Sequence, residues 1–400
     1  MIAAERAIRV PPSIEAFEAA IDRSWDAAHS VVLRYRACSS RADAELDPLF
    51  AEQLRSASLR EGLRVFPLLV YRDVALDVLD ATSLMQTGTH KSVDGCVTTA
   101  RCLHAGHRRL VFESGGNTGT ALTVYASRAG LETFLFVPAD NLPLLDARVF
   151  AGPGVHVVAV EDAGAVKAAA RAFAEREGIP RVPELAWRHE ASALIGSFVL
   201  EHVLAHGRPD HLVQGISAAF APIGIYRMLT PFRQRLGGLP AFLGIQQTAN
   251  CPMARAWLET DAPGRSVPPL ATTNGLLARV MYDEAPRSYG TFEELRGLLH
   301  ASAGDLTTIN RAEFERWLDV SIEGRTPIEH LARHGVAIAQ RDGEVLEKAG
   351  LMGLAGALRE IAAGRFRAGS RLLVNLTGGT AQPRGEVVPE RTIRVGEVLA

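Results

Sequence analysis

Short apolar runs alternate with helical patterns along most of this chain from about residue 90. The runs are only four to eight residues long and are bounded by turn residues, so each predicts a buried strand. The predicted strands are RRLVFES (108–114), LETFLFVP (131–138), VHVVAV (155–160), HLVQGI (211–216), AFLGIQQ (241–247), GDLTTI (304–309) and RLLVNLTG (371–378). Strands that are apolar on both faces are typical of parallel sheets covered by helices. The alternation therefore predicts an α/β fold with twisted, mostly parallel sheets flanked by helices.

The segments between these strands have helical periodicity. The predicted helices cover residues 117–130, 142–152, 163–178, 190–207, about 222–236 and 343–364, and two amphipathic helices are predicted upstream near 13–28 and 45–58. In open parallel sheets, ligands bind beyond the carboxyl ends of the strands, in the turns that lead into helices. The turns are therefore the places to search for chemistry.

Composition excludes several classes of protein. Hydrophobic residues make up 47% of the 400, charged residues 22%, and the net charge is −2, with no basic stripe. This favours a soluble globular protein and argues against nucleic acid or a membrane as partner. No secretory signal or run of eighteen apolar residues is visible, so a cytoplasmic location is expected. No zinc spacing is present and no metal site is predicted, so reduced thiols are expected at Cys38, Cys96, Cys102 and Cys251.

The turn QTGTHKSVDG (86–95) places Lys91 at the start of a small-residue helical run. A helix N-terminus supplies positive potential, which favours the neutral, nucleophilic form of an amine. Gly88 lets the backbone approach a ligand closely. A nucleophilic lysine is one interpretation, and an ordinary surface lysine is the other.

Two further turns carry unusual polar residues. ESGGNTGTAL (113–122) follows a predicted strand and exposes many unhindered N–H groups at a helix start, which is typical of an anion cradle. The alternative is a plain Asn-capped helix after a glycine turn. NLTGGTAQP (375–383) presents the Thr377 hydroxyl at the end of the last clear strand, and the alternative there is a type II turn around Gly378 and Gly379.

In their order and spacing, TGTHK, SGGNTG and LTGG resemble the motifs of the fold-type-II pyridoxal-phosphate enzymes, the group that includes threonine synthase, cysteine synthase and cysteate synthase. The resemblance covers about residues 65–380 and implies the two-domain fold of the tryptophan synthase β type. Within the group, PDHLVQGIS, GIQQTANCPMARAW and LLVNLTGG look most like cysteate synthase.

The resemblance implies a role for each matching residue. Lys91 would form the Schiff base with pyridoxal phosphate and move protons at the substrate's α-carbon. Asn117 would bind the phenolic oxygen of the cofactor, and Thr377 its pyridine nitrogen. The substrate carboxylate would be bound by Ser114, Gly115, Gly116 and Thr118. A neutral hydroxyl at the pyridine nitrogen favours β- or γ-elimination and replacement over transamination.

His90 and the phosphate loop depart from the group's pattern. His90 stands where relatives often have Phe; an aromatic-sized filler is expected, with a catalytic base as the alternative. The group has a glycine run where this chain has ISAAFAPIG (216–224). The alanines can still offer N–H groups if their φ is negative, and Pro222 suits a first helical position. The phosphate is therefore assigned to Gly215, Ser217, Ala218 and Ala219.

The expected function is β-replacement or elimination on an activated small amino acid such as O-phosphoserine, with a small anionic or thiol nucleophile. The alternatives are threonine-synthase-like γ-elimination with β-addition, a relative that has lost the cofactor, and a nucleotide-binding α/β protein. A small mobile domain is expected over residues 88–165, with residues 1–87 and 166–400 in a large cofactor-binding domain, and the relatives imply a homodimer.

Overall fold

A computed structural model describes residue 8 and residues 10–38, 47–262, 264–269, 275–283 and 285–397. Its helices are α1 Ile14–Ala20, α2 Val31–Tyr35, α3 Pro48–Ala57, α4 Lys91–His104, α5 Asn117–Arg128, α6 Ala147–Phe150, α7 Val166–Glu177, α8 Leu185–His206, α9 Phe220–Leu229, α10 Pro252–Thr260, α11 Thr291–Ser302, α12 Arg311–Leu318, α13 Pro327–Arg333 and α14 Met352–Ala362. Its strands are β1 Arg64–Tyr71, β2 Val74–Asp80, β3 Arg109–Glu113, β4 Glu132–Pro138, β5 Val155–Val160, β6 His211–Gly215, β7 Ala241–Gln247, β8 Asp305–Ile309, β9 Gln340–Arg341, β10 Glu344–Val345, β11 Arg371–Leu376 and β12 Arg391–Ile393.

The larger sheet has six strands in the order β1-β2-β11-β6-β7-β8. Only the β1–β2 pair is antiparallel, and every other pair in this sheet is parallel. Successive residues of a strand enter different cores: Leu212 packs in the core that contains α8 and α9, and Val213 packs in the core that contains α14. The predicted α/β fold with mostly parallel sheets is therefore confirmed.

The smaller sheet has four parallel strands in the order β12-β5-β4-β3. The edge strand β12 comes from residues 391–393. Helix α7 packs on the sheet through Val166, Ala169 and Ala170. Both segments lie outside the range 88–165 expected for the small domain. The division into domains stays a prediction, but the small sheet draws on more of the chain than that range.

Several predicted helices are shorter than expected or differently placed. Residues 142–152 form no continuous helix: a 3₁₀ turn over Ala139–Leu144 precedes the short α6. The helix expected near 222–236 begins at Phe220 and ends at Leu229. The upstream helices are α1, α2 and α3, and residues 45 and 46 of the second predicted helix lie outside the described part.

The helix predicted over 343–364 is correct only in its second half. Residues 344–345 pair with 340–341 as a short hairpin, and the helix begins only at Met352. Gly343 has a φ of 82°, which a helix does not allow. The Glu347 carboxylate accepts hydrogen bonds from the N–H groups of Ala349 and Gly350. These bonds stabilise a turn of the backbone just before the helix begins.

None of the helices in the described ranges has the length and apolar character needed to cross a membrane. All four cysteines are described, and each is buried and unpaired.

Candidate active site

The turn before α4 places Lys91 as the first residue of that helix. Gly88 has a left-handed φ of 68°, and its carbonyl oxygen accepts a 2.5 Å hydrogen bond from the Thr82 hydroxyl. A Cβ at this position would lie 2.8 Å from the Ala381 nitrogen, so the turn also needs the missing side chain. The turn is therefore anchored against the segment that follows β11.

The Lys91 amine donates a 2.8 Å hydrogen bond to Asp94 Oδ2, one turn further along α4. The side chain of Lys91 is 18% exposed and that of Asp94 only 6%. Burial works to raise the pKa of Asp94, but the positive charges of Lys91 and Arg188 outweigh it and hold the pKa below its usual range. Sequence reasoning missed Asp94, although its spacing of three residues from Lys91 places both on one helix face.

His90 is fixed against the end of β11. Its backbone N–H donates to the Thr377 carbonyl oxygen at 3.0 Å, and its ring Nδ1 lies 3.2 Å from the same oxygen. Burial, helped by the charge of Lys91, lowers the pKa of His90 to about 3. A neutral imidazole that donates Nδ1–H to a carbonyl fits the expected filler rather than the alternative catalytic base.

The polar loop between β3 and α5 is shaped by its own serine. The Ser114 hydroxyl oxygen accepts hydrogen bonds from the N–H groups of Gly116 at 3.1 Å and Gly119 at 2.8 Å. Asn141 donates to the Gly115 carbonyl oxygen at 2.7 Å. A Cβ on Gly116 would lie 2.6 Å from Val280 Cγ1, so residue 116 cannot carry a side chain without displacing Val280.

The Asn117 side chain reaches a buried acid that sequence reasoning missed. Its Nδ2 donates to Glu347 Oε1 at 3.4 Å. Burial raises the pKa of Glu347 above its ordinary value, against the hydrogen bonds it accepts from Gly350, Asn117 and Ala349. No motif in the sequence marks Glu347, because it lies in a segment with a helical pattern.

In the loop after β6, an alanine takes a backbone conformation that usually favours glycine. Ala219 has a φ of 60°, so the expectation of a negative φ is wrong there, and Pro222 is the third rather than the first residue of α9. The first backbone hydrogen bond of α9 runs from the Ile223 N–H to the Ala219 carbonyl oxygen. Within the described part of the chain, the N–H groups of residues 218–221 therefore have no backbone partner. The Ser217 hydroxyl donates to the Met281 carbonyl oxygen at 3.2 Å.

A cavity of about 310 Å³ brings nearly all the predicted site residues together. It is lined by Lys91, Ser114, Gly115, Asn117, Thr118, Gly215, Ser217, Ala218, Ala219 and Thr377. Gly116 is the exception, since it packs under Val280 outside the lining. Two lining cations, Lys167 and Arg188, were not predicted from the sequence.

Residues 81–295 match the family described as pyridoxal-phosphate dependent enzymes. The chain belongs to this family. The match covers more than half of the chain and includes Lys91, Asn117 and the loop after β6, so the resemblance seen in the motifs is confirmed.

Two curated relatives are similar in sequence, and two solved structures are similar in fold. A threonine synthase of Methanosarcina acetivorans is 28% identical over 185 residues, which are 44% of each chain. A cysteate synthase of Methanosphaerula palustris is 26% identical over 283 residues, 68% of this chain and 61% of the relative, so less than two thirds of either relative is matched. The crystal structure of Escherichia coli threonine synthase shares the fold, with a TM-score of 0.63 and 16% identity over 93% of this chain and 80% of that one. The crystal structure of O-ureido-L-serine synthase has a TM-score of 0.56 and 17% identity over 82% and 91%.

The cofactor is pyridoxal 5′-phosphate. The cavity has groups that suit its aldehyde, its phosphate and its pyridine nitrogen. An aldehyde needs an amine, which Lys91 supplies at a helix start. A phosphate needs several hydrogen-bond donors. The N–H groups at the start of α9, which have no backbone acceptor among the described residues, offer them. A pyridine nitrogen accepts a hydrogen bond from a neutral hydroxyl, and Thr377 borders the same cavity. Ala219, which precedes the first residue of α9, has a left-handed φ of 60°.

Proposed function

We propose that this enzyme catalyses β-replacement or elimination on a small amino acid with an activated side chain, such as O-phosphoserine. A small anion such as sulfite, or a thiol, would be the nucleophile. The observation that carries the proposal is one cavity lined by the Lys91 amine, by residues of the polar loop 114–118 and by the Arg188 guanidinium. The loop would offer hydrogen-bond donors to the carboxylate of such a substrate, and the guanidinium would offer a positive charge to a distal anion.

Bound pyridoxal phosphate supplies the electron sink that stabilises negative charge at the substrate's α-carbon. Lys91 would hold the cofactor and remove the α-proton. The N–H groups and the Thr118 hydroxyl of the loop would bind the carboxylate and fix the α-carbon near the amine. Thr377 would meet the pyridine nitrogen with a neutral hydroxyl, which favours elimination and replacement over transamination.

Arg188 supports a substrate with an anionic leaving group. Its guanidinium lies 5.1 Å from the centroid of the Phe220 ring and 6.0 Å from that of Tyr289. Among the described residues, no carboxylate lies within ion-pairing distance of Arg188, whereas Lys167 is paired with Asp283 at 3.0 Å. A guanidinium that stacks on aromatic rings and has no ion pair among the described residues is suited to bidentate binding of phosphate.

The test combines spectroscopy with a substrate panel. Purified protein is incubated with pyridoxal phosphate, its visible absorbance is recorded, and borohydride reduction followed by peptide mass mapping locates the adduct. Lys91→Ala should lose both the band and the adduct. Lys348→Ala is the matched control, because Lys348 lies outside the lining of this cavity and pairs with Glu344. A colourless wild type, or an adduct on another lysine, would refute the assignment of Lys91.

Activity is then measured as phosphate release from O-phosphoserine, with and without sulfite. Each turnover should break the bond between the β-carbon and oxygen, release phosphate and, with sulfite, form a carbon–sulfur bond at the same carbon. The 28% identity to a threonine synthase makes activated homoserine the second substrate to test. Turnover of the homoserine alone would replace the proposal by γ-elimination with β-addition of water.

A further inference from the structure

The acid beside Lys91 is placed to act on the amine and not on the substrate. Asp94 Oδ2 lies 2.8 Å from Lys91 Nζ. Lys91 lines the cavity and Asp94 does not. The carboxylate therefore faces the amine from inside the protein, while the amine faces the space that a ligand would occupy.

The charged neighbours of Asp94 keep it ionised. Lys91 acts on it from its own helix, His90 from the position just before that helix, and Arg188 from α8. Other charged groups packed around α4 lie in separate contacts: Arg101 of α4 pairs with Glu190 of α8 at 2.6 Å, His104 of α4 lies 3.4 Å from Asp47, and Tyr125 of α5 donates to Glu61 at 2.6 Å. The thiols of Cys96 and Cys102 on α4 are buried and unpaired. Two cations and a neutral imidazole thus surround one anion.

We propose that Asp94 is a positioning residue that holds the Lys91 nitrogen at the cavity wall and favours the protonated state of that nitrogen. This inference rests on the proposed function, in which Lys91 carries the cofactor. A buried anion at hydrogen-bond distance stabilises a positive charge on the nitrogen and orients its N–H bonds. The acid thereby sets the pH range in which the linked nitrogen keeps its proton.

The visible band of the bound cofactor reports this proton, because its wavelength changes when the linking nitrogen is deprotonated. Removal of a carboxylate at 2.8 Å removes a stabilising charge, so the nitrogen loses its proton at lower pH. In Asp94→Asn, the pH midpoint of the colour change should fall by about one unit or more. Asp94→Glu should restore part of this shift, because it keeps the charge and changes only the reach.

The experiment is a pH titration of the holoenzyme by absorbance, with thermal unfolding recorded in parallel. Glu190→Gln is the matched control, since it removes a buried carboxylate that contacts α4 through Arg101 and not through Lys91. The control should lower the melting temperature and leave the midpoint unchanged. If Asp94→Asn is not recovered folded, Asp94→Ser carries the same expected shift.

The outcomes separate the two proposals. A lower midpoint in the folded variant without the carboxylate, partly restored by Glu, supports the role of Asp94. A midpoint within about 0.3 units of the wild type overturns it and leaves Lys91 as the attachment site, because this is far below the shift that an adjacent charge causes. A wild type with no visible band and no adduct on Lys91 refutes the proposed function, and the role of Asp94 with it.

Discussion

Replacement of Gly88 by alanine tests whether the lysine turn depends on a missing side chain. Gly88 has a φ of 68°, and an added Cβ would lie 2.8 Å from the Ala381 nitrogen and 3.0 Å from Thr380 Oγ1. Gly106, just beyond the other end of α4, provides the control: its φ is 75°, and an added Cβ would meet nothing within 4 Å. The two substitutions share the backbone strain and differ only in the close contact.

The expected magnitudes follow from these two terms. A left-handed conformation costs an L-residue about 1–2 kcal/mol. The reduced freedom of the unfolded chain offsets about 0.4–1 kcal/mol of this. Gly106→Ala should therefore lower the free energy of unfolding by about 1 kcal/mol. The contact with the backbone at residue 381 adds about 1–3 kcal/mol of overpacking in Gly88→Ala, so its total loss should be about 2–4 kcal/mol.

Urea unfolding of the cofactor-free variants, at one pH and protein concentration, measures this difference directly. Titration with pyridoxal phosphate then gives the functional consequence, because a displaced turn moves Lys91 away from its place in the cavity. Gly88→Ala should bind the cofactor more weakly than Gly106→Ala does. If Gly88→Ala is as stable as Gly106→Ala and binds the cofactor equally well, the close approach to residue 381 does not position the lysine.

Two further substitutions test single side chains. Asn117→Ala should raise the dissociation constant of pyridoxal phosphate about five- to tenfold in an absorbance titration, the value of one hydrogen bond; an unchanged constant and spectrum would exclude a contact with the cofactor. His189 is 2% exposed, neither ring nitrogen has a hydrogen-bond partner among the described residues, and burial lowers its pKa to about 3. Because the unfolded chain binds a proton there below about pH 6.5, His189→Phe should increase stability more at pH 5 than at pH 8, by about 2 kcal/mol in urea unfolding. An equal effect at both pH values would contradict this.

The elements that the sequence predicts well are those specified by local pattern. The runs at 131–138 and 155–160 are apolar on both faces, and each became a central parallel strand. Lys91, Asn117 and Thr377 line one cavity because the turns that carry them lie near the carboxyl ends of parallel strands. Chain pattern and sheet geometry together are sufficient for this part of the site.

The features that the sequence does not predict depend on contacts between distant segments. Ala219 takes a conformation that alanine alone disfavours, and no local signal predicts it. Arg188, just before a predicted helix, and Glu347, within one, are ordinary charged residues until the fold brings them to the cavity and to Asn117. Gly116 has the correct motif but lies under Val280, a packing partner 164 positions later in the sequence.

The position of strand β12 has a consequence for how the smaller sheet folds during synthesis. It completes the smaller sheet beside β5, and Glu390, next to it, contacts His156 across 234 positions of the chain. During synthesis, the other three strands emerge long before this one does. Until it arrives, β5 has an unpaired edge, which is a template for pairing with another chain. Strand β12 thus covers an edge of the smaller sheet that could otherwise pair with another chain.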